Sequence, residues 1–148
     1  MKTQQELKIF CVDDEPYTLN LSKGVLENMG YHNVSIFETG EDCLAHLTED
    51  PDVVFLDYNM SSMNGLQVLR EIKKRNPEIY VVMLSAQESQ AITEATLEYG
   101  AFTYLKKEGN LHEMLETIME KVGPRIWSIQ QFLHLTANKG KPQSFLRN

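Results

Sequence analysis

Cysteine is scarce. Cys11 and Cys43 are the only two, and neither belongs to a CxxC pair. That excludes a disulfide framework and a cysteine-built metal site. No stretch reaches the roughly 18 consecutive apolar residues of a membrane span. The opening Met1-Lys2-Thr3-Gln4-Gln5-Glu6 has no apolar run behind its lysine, so a secretory leader is not expected. The expected compartment is the cytoplasm, with no membrane contact. Neither GxGxxG nor the GxxxxGK loop of nucleotide-binding proteins occurs, so no phosphate cradle of those kinds is present. Internal repeats and low-complexity segments are also missing. Acid is missing from one end only: residues 121–148 carry Lys121, Arg125, Lys139, Lys141 and Arg147 and no Asp or Glu. Residues 1–120 hold all 21 acids against 9 Lys and Arg, a balance of −12. A body of that charge repels nucleic acid, and none is expected as a partner.

What is there is an alternation. Residues 7–12, 34–37, 52–57, 79–84 and 102–106 read as strands. The third and fourth are apolar almost throughout, as in strands covered on both faces. Between them lie helix-like segments. Pro16 opens one that Gly30 stops, and Thr39 caps the next. Asn64 with Gln67 forms a capping box for residues 65–75. Residues 88–99 make a poor helix, in which only Ile92, Ala95, Leu97 and Tyr99 carry apolar area. Asn110 and Glu113 form a second capping box, and Gly123-Pro124 is expected to end that helix and start another. Five strands alternating with five helices imply right-handed crossovers and an α/β fold with a parallel sheet, the third strand central.

In such sheets ligands bind beyond the carboxyl ends of the strands. Asp13 and Asp14 follow the first strand, Asp57 ends the third, Ser85 and Ala86 follow the fourth, and Lys107 follows the fifth beside Lys106. Singly, each has a bland reading as a cap, a turn residue or a surface charge. Together they put three carboxylates, a hydroxyl and an ammonium at one sheet edge. Three carboxylates repel each other, and a hard divalent cation relieves this. Mg²⁺ takes oxygen ligands and commonly shares them with a phosphate, whose other oxygens a serine and a lysine can hold. An acidic loop after the first strand disfavours a flavin phosphate, so a phosphoryl group enters only with a metal.

Those residues resemble the receiver domain of bacterial two-component response regulators, in particular stand-alone, CheY-like receivers. The matching pieces are Val12-Asp13-Asp14-Glu15-Pro16, Val54-Phe55-Leu56-Asp57-Tyr58-Asn59-Met60, Met63-Asn64-Gly65, Leu84-Ser85-Ala86, and Gly100-Ala101 with Tyr104-Leu105-Lys106-Lys107. The resemblance covers roughly residues 7–122. It implies a flavodoxin-like doubly wound sheet of order 2-1-3-4-5 with five helices, in a receiver domain over 1–123. Gly123-Pro124 and the residues after it add the expectation of an extra C-terminal helix in a separate tail over 124–148.

By the same resemblance, Asp57 accepts a phosphoryl group from a sensor histidine kinase or a phosphotransfer protein. Asp13, Asp14, Asp57 and the backbone carbonyl of Asn59 would hold Mg²⁺, with Mn²⁺ as a substitute. Ser85, the Ala86 N–H and Lys107 would stabilise the phosphoryl group, and Tyr104 would move with Ser85 as a switch. Lys107 is chosen over Lys106 because the family places its lysine three residues after the aromatic. Such a protein catalyses only its own phosphorylation and dephosphorylation and is not an enzyme acting on others. This chain departs from the family's usual proline at Ser61 and Glu108, and has Ser85 where threonine is commoner.

Two other readings share the residues. A pseudo-receiver would bind partners without taking phosphate. A haloacid-dehalogenase-like phosphatase would also use an aspartyl phosphate, but it needs an acid two residues after the nucleophile, where this chain has Asn59. The tail is too short for a DNA-binding domain with its own core. A helix from Pro124 to Ala137 puts Ile126, Ile129, Leu133 and Ala137 on one stripe and leaves Trp127 and Leu135 off it. More than one apolar face calls for more than one covering surface. Contacts with a second copy or a target protein are therefore expected through 88–106 and 124–138. Residues 139–148 are expected to be a flexible basic end.

Overall fold

A computed structural model describes the backbone of residues 6–138 except Glu88, and the side chains of the same span as far as residue 126. The strands are β1 (Lys8–Val12), β2 (Asn33–Phe37), β3 (Val53–Asp57), β4 (Tyr80–Ser85) and β5 (Thr103–Lys106). The helices are α1 (Pro16–Asn28), α2 (Gly40–Ala45), α3 (Gly65–Arg75), α4 (Gln90–Glu98) and α5 (Leu111–Asn138), and a 3₁₀ turn over Leu47–Glu49 follows α2. All strand pairs are parallel, in the order β2-β1-β3-β4-β5. This is the expected sheet, with β3 in the middle.

Strand period explains the two cores. Ile9, Cys11, Val53, Phe55, Val82 and Leu84 face one side, where α1 and α5 cover them with Leu19, Leu26, Leu115, Met119 and Val122. Phe10, Val12, Val54, Leu56, Val81 and Met83 face the other, against Leu44 of α2 and Val68, Leu69 and Ile72 of α3. Both faces are thus dry, which is why β3 and β4 read as unbroken apolar runs. Cys11 and Cys43 both lie in the core as free thiols.

Helix ends follow the local chemistry. The Asn64–Gln67 capping box forms in full, with bonds of 2.9 Å each way. Thr39 Oγ1 accepts from the Asp42 N–H. Gly30 and Gly100 adopt φ of 100° and 103° and end α1 and α4. The thin apolar content of residues 88–99 has its counterpart in α4, where Thr96 is the one buried residue of the helix and Leu97 is 45% exposed.

One expectation fails. The break at Gly123-Pro124 is absent: α5 runs unbroken through both residues, with Pro124 inside it, so no separate helix begins there. Proline removes one backbone hydrogen bond and crowds the preceding turn. The apolar stripe Leu115, Ile118, Met119, Val122 and Ile126 nevertheless continues across the dipeptide, and all five are buried. Packing of that stripe holds the helix through a local breaker. The expected roles of Trp127, Ile129, Leu133 and Leu135 concern side chains outside the described residues, and the expected flexible end, 139–148, also lies outside them.

Candidate functional site

The carboxyl ends of β1, β3, β4 and β5 meet at one edge. Parallel pairing puts Val12 beside Leu56, Asp57 beside Leu84 and Ser85 beside Lys106, so the residues that follow converge. Carboxylate oxygens of Asp13, Asp14 and Asp57 lie within 4.8 Å of one another. Asp13 and Asp57 are each 6% exposed, whereas Asp14 faces solvent. Such a set of hard oxygen donors, two recessed and one open, fits a divalent cation with water in its remaining positions.

Lys107 reaches into this cluster. Its Nζ donates to Asp13 Oδ2 at 2.6 Å and lies 3.3 Å from Asp57 Oδ1. Lys106 does not take part: it is exposed and pairs with Glu108 at 3.5 Å. The Lys107 N–H donates to the Ser85 carbonyl at 2.6 Å, which fixes the root of the side chain against β4. The Lys107–Glu108 peptide is trans despite its place in a turn that the family usually builds with proline.

Electrostatics follow from burial. Desolvation pushes the Asp57 carboxyl up to about 6; the Asp13 charge adds to this, while Lys107 and the Asn59 backbone N–H pull the other way. Burial also works against the Lys107 ammonium, but its bond to Asp13 and the charge of Asp57 outweigh that and hold its pKa above the ordinary value. One ammonium faces three carboxylates, so the edge keeps a surplus of negative charge.

The loop after β3 is held from below. Gly65 N–H donates to the Tyr58 carbonyl at 2.8 Å. A Cβ on Gly65 would stand 2.6 Å from the Asp57 carbonyl oxygen and 2.7 Å from Tyr58 Cα. Only glycine lets α3 start this close to the residue that carries the carboxylate. Met60 and Met63 pack against the core under the same loop.

Ser85 is 1% exposed, and its hydroxyl is engaged. Its Oγ accepts from Asn59 Nδ2 at 3.3 Å and from the Gln87 N–H at 3.2 Å. The Gln87 carbonyl in turn accepts from Tyr104 Oη at 2.9 Å. Ser85 and Tyr104 are therefore joined through one residue, Gln87, which the sequence reading did not single out. The sequence places the main chain of Asn59 at the metal and gives no sign of its side-chain bond to Ser85. The one pointer to that side chain is position, two residues past a strand-end aspartate and on the same loop. Ala86 follows β4 directly and is exposed at the same edge. A cleft of about 300 Å³ between α1 and α5 opens beside Asp57 and Lys107, with Leu21 and Met114 among its walls.

Comparison with known proteins agrees with this geometry. The family model of the response regulator receiver domain matches residues 9–119. The transcriptional regulatory protein CpxR of Klebsiella pneumoniae is 34% identical over 135 residues, 91% of this chain and 56% of its own length. The chain thus spans about half of that longer relative. Among solved structures, the CheY-like response regulator receiver domain protein of Methanospirillum hungatei superposes with a TM-score of 0.72 at 29% identity, over 79% of this chain and 94% of the other. The BeF3-activated DrrB receiver domain gives 0.69 at 31%, over 77% and 95%. The fold order, the acidic edge and the match over three quarters of its length lead to one conclusion: this chain belongs to the response regulator receiver domain family of two-component systems.

Proposed function

We propose that the domain takes a phosphoryl group onto Asp57 from a phosphohistidine of a sensor kinase or phosphotransfer protein. It then changes its protein contacts rather than acting on a further substrate. The observation that carries this reading is the Lys107 ammonium lying between Asp13 and Asp57 inside a triad of carboxylates. A cation arranged that way steadies an anion arriving at Asp57.

Asp13, Asp14, Asp57 and the Asn59 carbonyl would hold Mg²⁺, or Mn²⁺ in its place. The bound metal supplies charge neutralisation at the phosphoryl oxygens, which phosphoryl transfer requires more than covalent help. The chain's own residues do the rest. With a pKa near 6, Asp57 is mostly ionised at neutral pH and is a competent nucleophile. One carboxylate oxygen bonds to phosphorus as the phosphorus–nitrogen bond of the donor breaks, and the imidazole nitrogen leaves with the electron pair and takes up a proton. Lys107 swings from Asp13 toward the new anion. Ser85 Oγ–H donates to a phosphoryl oxygen, as does the Ala86 N–H.

The output follows from the joint at Gln87. When Ser85 turns toward the phosphoryl group, the Gln87 N–H loses its acceptor, and Tyr104, bonded to the other side of the same residue, is freed to move. The adjoining α4 buries Thr96 alone, so it is the element cheapest to shift. The face formed by α4 and β5 is thus the contact surface that answers to Asp57.

Incubation with acetyl phosphate and Mg²⁺, followed by intact mass measurement, tests the reading. One phosphoryl mass should be gained, and Asp57→Asn should gain none. Equal gain by Asp57→Asn, or gain in excess chelator, overturns it.

A further inference from the structure

Helix α1 turns three residues into the core, Leu19, Ser22 and Leu26. They lie at the spacing of one helical stripe, so Ser22 holds a place that calls for an apolar side chain. It is 7% exposed, and its hydroxyl makes no hydrogen bond to any described residue. A buried hydroxyl without a partner costs free energy, and native structures hold few of them. Ser22 lines the cleft of about 300 Å³ between α1 and α5.

The other polar side chains of that cleft are already matched. Thr18 Oγ1 donates to Glu15 Oε2 at 3.1 Å. Lys107 is divided between Asp13 and Asp57, and Glu108 pairs with Lys106. The walls are otherwise apolar, chiefly Leu19, Phe55, Leu84, Leu111 and Met114. Leu111 and Met114 are only half-buried, on the first turn of α5. Gly109 belongs to the lip, with φ of 75°, and a Cβ there would meet nothing within 4 Å. Water is a poor occupant, because an ordered buried water wants two to four polar partners and Ser22 is the one unmatched polar side chain.

The walls set the chemistry of a better occupant. One unmatched hydroxyl asks for one hydrogen-bonding group, and apolar walls ask for an apolar body. Charge of either sign is disfavoured: an anion meets Asp13 and Asp57, and a cation meets Lys107. The volume stands at the small end of ligand sites, which span about 300–1,000 Å³. It takes one ring with a short branch rather than a nucleotide.

We propose that this cleft binds a small neutral molecule, an apolar ring carrying one hydroxyl or amide group that pairs with Ser22. Recognition there depends on neither phosphoryl nor metal, although Asp57 and Lys107 form part of the wall.

Titration of the full chain with 4-isopropylphenol tests the proposal, read by nuclear magnetic resonance of labelled methionine methyl groups. The Met114 signal should shift and saturate with a Kd below about 1 mM, while Met29, at the far end of α1, should not move. Ser22→Ala should weaken this probe about threefold to tenfold and leave isopropylbenzene, which lacks the hydroxyl, unchanged. Ser22→Met fills the cleft and should abolish binding of both. Affinity in Mg²⁺ and in chelator should agree within about twofold. The absence of a saturable Met114 shift overturns the proposal, and so does a phenol affinity indifferent to Ser22→Ala. Displacement of the probe by Mg²⁺ overturns it equally, since the probe would then occupy the cation site. Phosphoryl uptake from acetyl phosphate by Ser22→Ala should match the wild type, so failure here is separable from failure of the phosphoacceptor reading.

Discussion

Replacing Asp57 by asparagine should stabilise the metal-free protein, and more so as the pH rises. A carboxyl raised by burial from 3.8 to about 6 is easier to protonate in the folded chain than in the unfolded one. Its sign is opposite to that of a salt-bridged aspartate. Below the unfolded value both states carry the proton and no penalty exists. As pH climbs from 3.8 to about 6 the unfolded chain sheds its proton while the folded one holds it, and stability is lost over that window and levels off above it. The full loss is about 3 kcal/mol, and about 2 after discounting for the water that reaches the open end of the edge. About half of it is already present at pH 5, and nearly all of it by pH 7. Asparagine keeps the shape and can still accept the Asn59 N–H without the charge. Urea unfolding of both proteins in chelator, followed by far-ultraviolet circular dichroism at several pH values, isolates the difference from every other titrating group. The Asp57→Asn advantage should grow by about 1 kcal/mol between pH 5 and pH 7 and then level off. Mg²⁺ should narrow the gap by stabilising the wild type alone. A wild type as stable as Asp57→Asn at neutral pH, or a gap that shrinks with pH, would refute the claim that burial governs this carboxyl.

Other consequences can be checked independently. Gly65→Ala should cost at least about 2 kcal/mol, because the new Cβ meets backbone atoms at 2.6 and 2.7 Å as well as the movable end of Met83; a change under half that, measured by denaturation, would mean the loop yields easily. Lys107→Gln should tighten Mg²⁺ binding at pH 8 by at least about fivefold, since an ammonium paired with the carboxylates that would hold the ion opposes a cation there, and fivefold corresponds to ~1 kcal/mol. Weaker binding in calorimetry would show that the lysine supports the site rather than competes for it. Cys11 and Cys43, both buried with thiols pushed up to about 12, should resist a thiol reagent at pH 8 roughly a thousandfold more than in the unfolded chain. Prompt native labelling of either would disprove that burial.

The candidate site was legible in the sequence for a chemical reason. A cation site needs carboxylates and a phosphoryl site needs a cation, so Asp13, Asp14, Asp57 and Lys107 are marked by residue type. Strand ends are marked by the switch from apolar to polar, and parallel pairing then forces the marked residues together. The choice of Lys107 over Lys106 rests on the resemblance, through the family's spacing from the aromatic at Tyr104. The structure adds the cause: Lys106 faces outward beside Glu108, while the Lys107 N–H is tied to Ser85 and its ammonium points at Asp13. The side-chain bond from Asn59 to Ser85, and the place of Gln87 between Ser85 and Tyr104, carried no such mark. An amide and a backbone peptide bond to whatever lies near them, and nearness is set by the fold.

The continuity of α5 illustrates the opposite limit. Glycine followed by proline is a strong local stop signal, and residues 123–124 were read that way. Local propensity is worth about 1 kcal/mol for glycine and about 3 for proline within a helix. Against it stands a stripe in which Leu115, Ile118, Met119, Val122 and Ile126 are all buried, three of them with 2% exposure or less. A fully buried side chain of that size contributes about 1.5–3 kcal/mol, so two such contacts beyond the breaker suffice to outweigh it. Ile126 supplies the first, against the domain's own core. The second must come from residues 127–138, whose sequence holds Trp127, Ile129, Phe132, Leu133 and Leu135. Continuity of the helix and a covering for those residues are therefore one question. A chain monomeric in solution should fray at Pro124, losing amide protection from residue 125 onward, whereas a paired chain should stay protected through Leu135. Hydrogen exchange at two protein concentrations distinguishes these. Protection of 125–135 that is the same in dilute and concentrated protein would show that the helix needs no second copy to persist.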